Sequence, residues 1–273
     1  MGHPIIALAL LAAAVPASVC AVLAPGRADK KQKAAFKGKA FAHRGLYKKD
    51  QSVPENSLPA FERACEKGYG IELDVQLSAD GKVVVFHDDD LKRACGADRP
   101  VSDLTYFELH SLKLFGTDER IPLFADVLDL VGGRVPLIVE LKTGSRNAEL
   151  CEKTLALLRS HGGDWCVESF DPRIVAWFRI NAADVLRGQL SQPAEYYIED
   201  GQNEMTAELL ESLSLNILAR PQFIAYRIGY KPPSVRICEA LGAMRAAWVS
   251  DGSWDDGAGR RPDMIIFEEK EED

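Results

Sequence analysis

The chain has 273 residues, 47% hydrophobic and 27% charged, which argues against a disordered polymer and supplies a core for one large domain. A formal net charge of −8 gives no support to nucleic acid as a partner. The six cysteines (Cys20, Cys65, Cys95, Cys151, Cys166 and Cys238) are scattered, with no CxxC pair and no zinc-ligand spacing, so they read as free thiols.

In chain order, the first object is PIIALALLAAAVPASVCAVLAP (residues 4–25), which carries no charge and approaches the roughly 20 residues that cross a bilayer. A basic stretch follows, with Arg27, Lys30, Lys31, Lys33, Lys37 and Lys39. Positive charge on the C-terminal flank predicts a transmembrane anchor over residues 1–25 and a basic linker over 26–39. The protein would then be single-pass, held to the membrane by its N-terminal helix, with the following domain on the cytoplasmic side. The alternative is a signal peptide, cleaved to leave a secreted protein; its n-region would lack Lys and Arg.

From residue 40 onward, short β-rich runs alternate with helical patterns. KAFAHR reads as a strand, and PENSLPAFERACEKG as a helix with Asn56 or Ser57 as cap and Gly68 at its end. YGIELDV, PLIVELK, DWCVESF, DVLRGQLS, PQFIAYRIGY, AMRAAWVS and PDMIIFE supply seven more strands. Eight strands separated mostly by helices predict an α/β fold, a (β/α)8 TIM-type barrel over 40–268. An open doubly wound sheet is disfavoured, because no glycine-rich turn follows the first strand. DGSWDDGAGRRP is a poor helix. The acidic tail 269–273 follows the last strand, so the eighth helix is expected to be missing.

Glu72 and Asp74 sit at i and i+2 of the second strand and share a face, while Ile71, Leu73 and Val75 take the other. Two inward carboxylates repel unless protonated, paired or bound to a cation. Asp80-Gly81 suits the centre of a two-residue hairpin. That register opposes Ala79 to Lys82, Gln76 to Val85 and Asp74 to His87. His43 and Arg44 end the first strand, and Glu140 ends the third with Lys142 two residues on. Strand C-termini form the mouth of such a barrel. Glu72, Asp74 and Glu140 therefore make an all-oxygen set suited to a hard divalent cation, Ca2+ or Mg2+. With Arg44, Lys142 and two histidines added, the chemistry suits hydrolysis of a phosphodiester.

AHRG followed by PENSLPAFERACEKGYGIELDVQLSADGKVVVFHD resembles the glycerophosphodiester phosphodiesterase family, and the likeness continues through VELK, SFDP and AWV. The resemblance implies a TIM-like barrel with a small insertion after the histidine-bearing hairpin, here residues 98–121. It implies that His43 and His87 act as general acid and base, with Arg44 beside the phosphate. Glu72, Asp74 and Glu140 would hold the metal, and Lys142 would contact the substrate phosphate. Glu55 and Trp248 would line or support the pocket. The implied reaction turns a glycerophosphodiester and water into glycerol 3-phosphate and an alcohol. Lysophospholipids or other lipid headgroup diesters are the alternative substrates, and a phosphate- or lipid-sensing module is the alternative without turnover. Two departures stand out: Val249 and Ser250 follow Trp248 where the family commonly has threonine, and the last strand ends IIFEE where many members carry TD.

Overall fold

The computed structural model describes residues 17–257 and 259–269. Eight parallel strands close into a barrel: β1 (Lys39–Ala42), β2 (Gly70–Leu77), β4 (Leu137–Leu141), β5 (Trp165–Ser169), β6 (Arg187–Ser191), β7 (Phe223–Arg227), β8 (Met244–Ser250) and β9 (Met264–Phe267). Closure comes from β1, which pairs with β9 on one side and with β2 on the other. The short strand β3 (Val83–Val85) lies outside the ring, antiparallel to the upper half of β2. β1 pairs with β2 only at Gly70 and Ile71, and β3 takes over from Val75 to Leu77.

The period-2 alternation sorts each strand into an outer and an inner face. Ile71, Leu73 and Val75 of β2 join Leu137, Val139 and Leu141 of β4 in the layer beneath the helices. Phe41, Ile138, Cys166, Phe223, Met244 and Ile266 point inward and fill the lower barrel. Further toward the strand C-termini the inward positions turn charged, giving Glu72 and Asp74 on β2, Glu140 on β4 and Glu168 on β5. Burial therefore closes the barrel floor, and ionisable chemistry collects at its mouth.

The floor has a plug. Asp29 caps the helix Lys30–Phe36 through a reciprocal capping box with Gln32. Phe36 at its end stacks on Phe41, with ring centroids 5.9 Å apart. The segment expected as a basic linker therefore carries a helix whose apolar residue enters the barrel core.

The predicted membrane anchor requires correction. Among the described residues no helix is long and apolar enough to cross a membrane. Residues 1–16 of the proposed span lie outside the described residues. Residues 17–23 form a short helix, and Leu23 is buried against a cluster that includes Ile224, Tyr226 and Val235. Arg220 donates to the carbonyls of Ala21 (2.8 Å) and Ala24 (2.7 Å), and the Gly26 amide donates to Pro221 (2.9 Å). The end of the apolar run is thus spent on the barrel rather than turned to lipid. The single-pass arrangement, the membrane contact and the cytoplasmic placement inferred from the anchor fall with it.

Between β8 and β9 the chain runs through turns and bends, with no helix among the described residues there. The residues that would follow β9 as an eighth helix lie largely outside the described ones. After β3, residues 91–121 form short helices and turns around a small core of their own. Leu91, Val101, Leu104, Leu109 and Ile121 pack there with Val84 and Phe86.

Candidate active site at the barrel mouth

The C-terminal ends of the strands surround a cavity of about 510 Å3. His43, Arg44, Glu72, His87, Glu140, Glu168, Phe170, Arg227, Trp248 and Glu268 are among its lining residues. Of the residues predicted from sequence, His43, Arg44, Glu72, His87, Glu140 and Trp248 reach the wall. Asp74, Glu55 and Lys142 lie behind it and hold others in place.

One predicted contact is not made. The observed register opposes Val75 to Val85 and Gln76 to Val84, and the Phe86 amide donates to Asp74. Phe86, not His87, therefore faces Asp74. The turn closes between Ser78 and Lys82, whose carbonyl accepts from the Ser78 amide at 3.0 Å. Three residues make the loop, with Gly81 at φ +74°, the left-handed position such a loop requires. His87 comes to the cavity from beyond the end of β3, where strand alternation no longer applies.

Glu72, Asp74 and Glu140 each present an oxygen such that all three atoms lie within 4.8 Å of one another. All three residues are buried. Burial, reinforced by the neighbouring Asp74, Glu140 and Glu168, pushes Glu72 well above the usual carboxylate range. Burial also raises Glu140. Asp74 goes the other way: burial opposes ionisation, but His87, Lys142, Arg44 and a hydrogen bond from Asn56 (2.8 Å) hold it low. Glu168, which the sequence reading passed over, pairs in register with Glu140 and is raised by burial and by Glu140 and Asp74. Its Oε2 is buried without a hydrogen-bond partner. Clustered carboxylates with an orphaned buried oxygen at their edge are the donor chemistry that fits a hard divalent cation.

Both histidines are oriented by carboxylates. His43 Nδ1 lies 3.0 Å from Glu268 Oε1, and its Nε2 is 3.9 Å from Glu72 Oε2. His87 Nδ1 lies 2.7 Å from Asp88 Oδ1. An ionised carboxylate can only accept, so each Nδ1 carries the proton and each Nε2 is left to exchange one. Burial lowers the His43 pKa below its ordinary value, against the opposing pull of Glu268. Glu268 is itself lowered to about 2, chiefly by its bond to His43.

A chain of ion pairs ties the second histidine to the acids. Arg93 grips Asp88 (2.7 and 3.0 Å) and reaches Glu55 at 2.7 Å. Glu55 also accepts from Arg44 Nη1 at 2.8 Å, and Arg44 Nε approaches Asp74 at 3.6 Å. Arg44 and Asn56 both take left-handed backbone, φ 54° and 53°, which brings them into the gap between β1 and β2. Lys142 sits behind the acids, its ammonium 2.9 Å from Glu140 and 3.5 Å from Asp74. On the far wall, Trp248 donates to the Ala225 carbonyl (3.1 Å) and meets Phe170 edge-on, centroids 5.6 Å apart.

Sequence reasoning missed Glu168, Arg227, Glu268, Asp88 and Arg93. The first and third were accessible by the rule that found Glu140. Glu168 is the last inward position of β5 and Glu268 continues the inward face one residue past β9, each two residues beyond an apolar inward neighbour, Cys166 or Ile266.

Comparison with known proteins then bears on this geometry. Residues 43–225, more than half of the chain, match the model of the glycerophosphoryl diester phosphodiesterase family. A glycerophosphodiester phosphodiesterase of Caldanaerobacter subterraneus is 43% identical over 111 residues, 38% of this chain and 44% of that protein. A lysophospholipase D of Rattus norvegicus is 31% identical over 150 residues, 50% of this chain and 46% of that protein. The matched stretch thus spans under half the length of either relative. Among solved structures, a glycerophosphodiester phosphodiesterase of Thermotoga maritima is similar at 26% identity and a TM-score of 0.59, covering 84% of this chain and 93% of that one. An Oleispira antarctica phosphodiesterase, solved in complex with the product sn-glycerol-3-phosphate, shares the fold at 21% identity and a TM-score of 0.67, covering 86% and 94%. With the matched region running from His43 through β2 and β4, the chain belongs to the glycerophosphoryl diester phosphodiesterase family.

Proposed function

We propose that the protein hydrolyses glycerophosphodiesters to glycerol 3-phosphate and an alcohol, using His43 and His87 as its acid–base pair. One observation carries this reading: two imidazoles, each held at Nδ1 by a carboxylate, line the same cavity as the Glu72–Asp74–Glu140 cluster. The family and the names of its relatives support it.

Glu72, Asp74 and Glu140 would hold one divalent ion, Ca2+ or Mg2+, with Glu168 at the edge of the set. When bound, such an ion polarises a phosphoryl oxygen and offsets the charge that builds on it. The protein's own groups do the rest. One neutral imidazole takes a proton at Nε2 from the attacking water as the new P–O bond forms. The other, protonated, gives its Nε2 proton to the departing alkoxide as the old P–O bond breaks. Arg44 lies beside the phosphate, its charge shared with Glu55 and Asp74. Lys142 acts from behind, limiting repulsion between Glu140 and Asp74. Glu55 and Trp248 support the pocket, the first by holding Arg44.

The test is release of glycerol 3-phosphate from diesters with several headgroups, and of headgroup from lysophospholipids, with Ca2+, with Mg2+ and with chelator. Chelator-sensitive release from the glycerol diesters is expected, with His43→Ala and His87→Ala each slower by about 10²-fold or more. No release under any condition overturns the reading. Turnover of lysophospholipids alone would move the substrate class to lipid.

A further inference from the structure

The acids crowd one side of the cavity, and Arg227 stands on the other. In the ring of eight strands, four steps separate β7 from β2, so Arg227 lies across the mouth from Glu72 and Asp74. The other cations near the site are already engaged: Arg44 by Glu55 and Asp74, Lys142 by Glu140 and Asp74. Arg227 has no carboxylate within ion-pair distance among the described residues. Aromatic rings position it instead. Its guanidinium carbon sits 4.0 Å from the centroid of Tyr196 and 5.5 Å from that of Trp248.

Two consequences follow. A guanidinium without a counter-charge, facing the cavity at the barrel mouth, is a ready partner for a carboxylate or phosphate. The same guanidinium occupies the ring faces that would otherwise hold a quaternary ammonium by cation–π attraction, and it repels such a group. We propose that Arg227 sets headgroup charge specificity, favouring glycerophosphodiesters whose alcohol portion carries an anionic group and disfavouring a trimethylammonium headgroup. The diester phosphate is assigned to the side of Arg44 and the Glu72–Asp74–Glu140 cluster, across the mouth from Arg227, and the glycerol portion is uncharged, so the anion assigned to Arg227 is one carried by the leaving alcohol. This inference rests on the diesterase reading above.

The experiment compares three glycerophosphodiesters that share glycerol and phosphate and differ in headgroup: the glycolate ester (anionic), the glycerol ester (neutral) and the choline ester (cationic). Each is measured as kcat/KM with the wild-type protein, Arg227→Gln and Arg227→Lys. The expected wild-type order is glycolate, glycerol, choline, with about tenfold or more between the ends, the scale of one charge-assisted contact. Arg227→Gln should collapse that ratio mainly through KM, and Arg227→Lys should restore part of it. An equal loss on all three esters would place Arg227 on the shared phosphodiester and overturn the assignment, as would a wild-type preference for choline. Binding of the same esters, read by calorimetry, reports the same ratio without turnover. A protein that turns over none of them but binds glycolate best would fail the diesterase reading and keep this one.

Discussion

Glu268→Gln isolates the partner of His43. The carboxylate lies 3.0 Å from Nδ1, and the Glu268 side chain is 32% exposed. An amide is nearly isosteric and its oxygen can still accept from Nδ1, so ring orientation and tautomer survive while the negative charge is lost. A hydrogen bond to a charged group is worth about 1.5–3 kcal/mol, and partial exposure places this one toward the lower end. About 1.5 kcal/mol corresponds to roughly a tenfold fall in the plateau of kcat/KM, because the imidazolium formed during proton transfer loses its counter-charge. The same energy corresponds to about one pH unit. Burial holds the His43 pKa low and Glu268 opposes that, so removing the charge lets it fall further. As the base His43 sets the acidic limb of kcat/KM and as the acid the basic limb; in either role its lowered pKa draws that limb down in the wild type, and Glu268→Gln moves it to still lower pH. A bound divalent cation shifts it in the same direction. The assay is a pH–rate profile on one diester at saturating metal. An unchanged plateau with an unchanged limb, or a limb moving to higher pH, refutes the reasoning.

Other perturbations reach the rest of the molecule. Glu140→Gln removes one oxygen charge from the cluster and should weaken divalent-ion affinity at least tenfold, read by metal titration of a chelator-treated sample. A midpoint within twofold of wild type would exclude Glu140 from the set. Gly188→Ala would place a Cβ 2.0 Å from the Phe223 ring on the neighbouring strand, which cannot be relieved without moving the barrel interior. Denaturant unfolding should show a loss of about 1–3 kcal/mol. Lys231 is buried between Glu239 (2.7 Å) and Asp256 (2.9 Å). Lys231→Met removes the cation that these two buried carboxylates share and should cost about 3–5 kcal/mol by the same measurement, whereas a loss under about 1 kcal/mol would mean that water or the nearby Arg260 takes its place.

The barrel was legible because its signals repeat. Strand-like runs alternate with helical ones, and the inward acids of β2 stand out against apolar neighbours on the other face. The hairpin register was not legible, for a specific reason. Val83, Val84 and Val85 are all buried, so no polar–apolar alternation separates the two registers one residue apart. Asp80-Gly81 serves a two-residue turn and a three-residue loop equally well. Glu168 and Glu268 were open to the rule that found Glu140, whereas Arg227 was hidden because a lone charge at the end of an apolar run resembles the start of any loop; only the closed ring makes those ends converge. The N-terminal apolar stretch misled because hydropathy measures what a side chain avoids, not which apolar surface it finds. For Leu23 that surface is the flank of β7.

The short strand β3 has an effect beyond its three residues. Val85 belongs to the layer shared with β2 and β4, while Val84 and Phe86 belong to the small core of residues 91–121. His87, Asp88 and Arg93 hang from this joint, so the second imidazole is mounted on the appended module and the first on the barrel proper. The two histidines proposed for proton transfer thus answer to separate cores. Softening the module's core, as Leu109→Ala would, should misalign His87, the second of the proposed acid–base pair, while the barrel keeps its shape. Damage of that kind would surface as lost turnover in a protein whose circular dichroism still looks native.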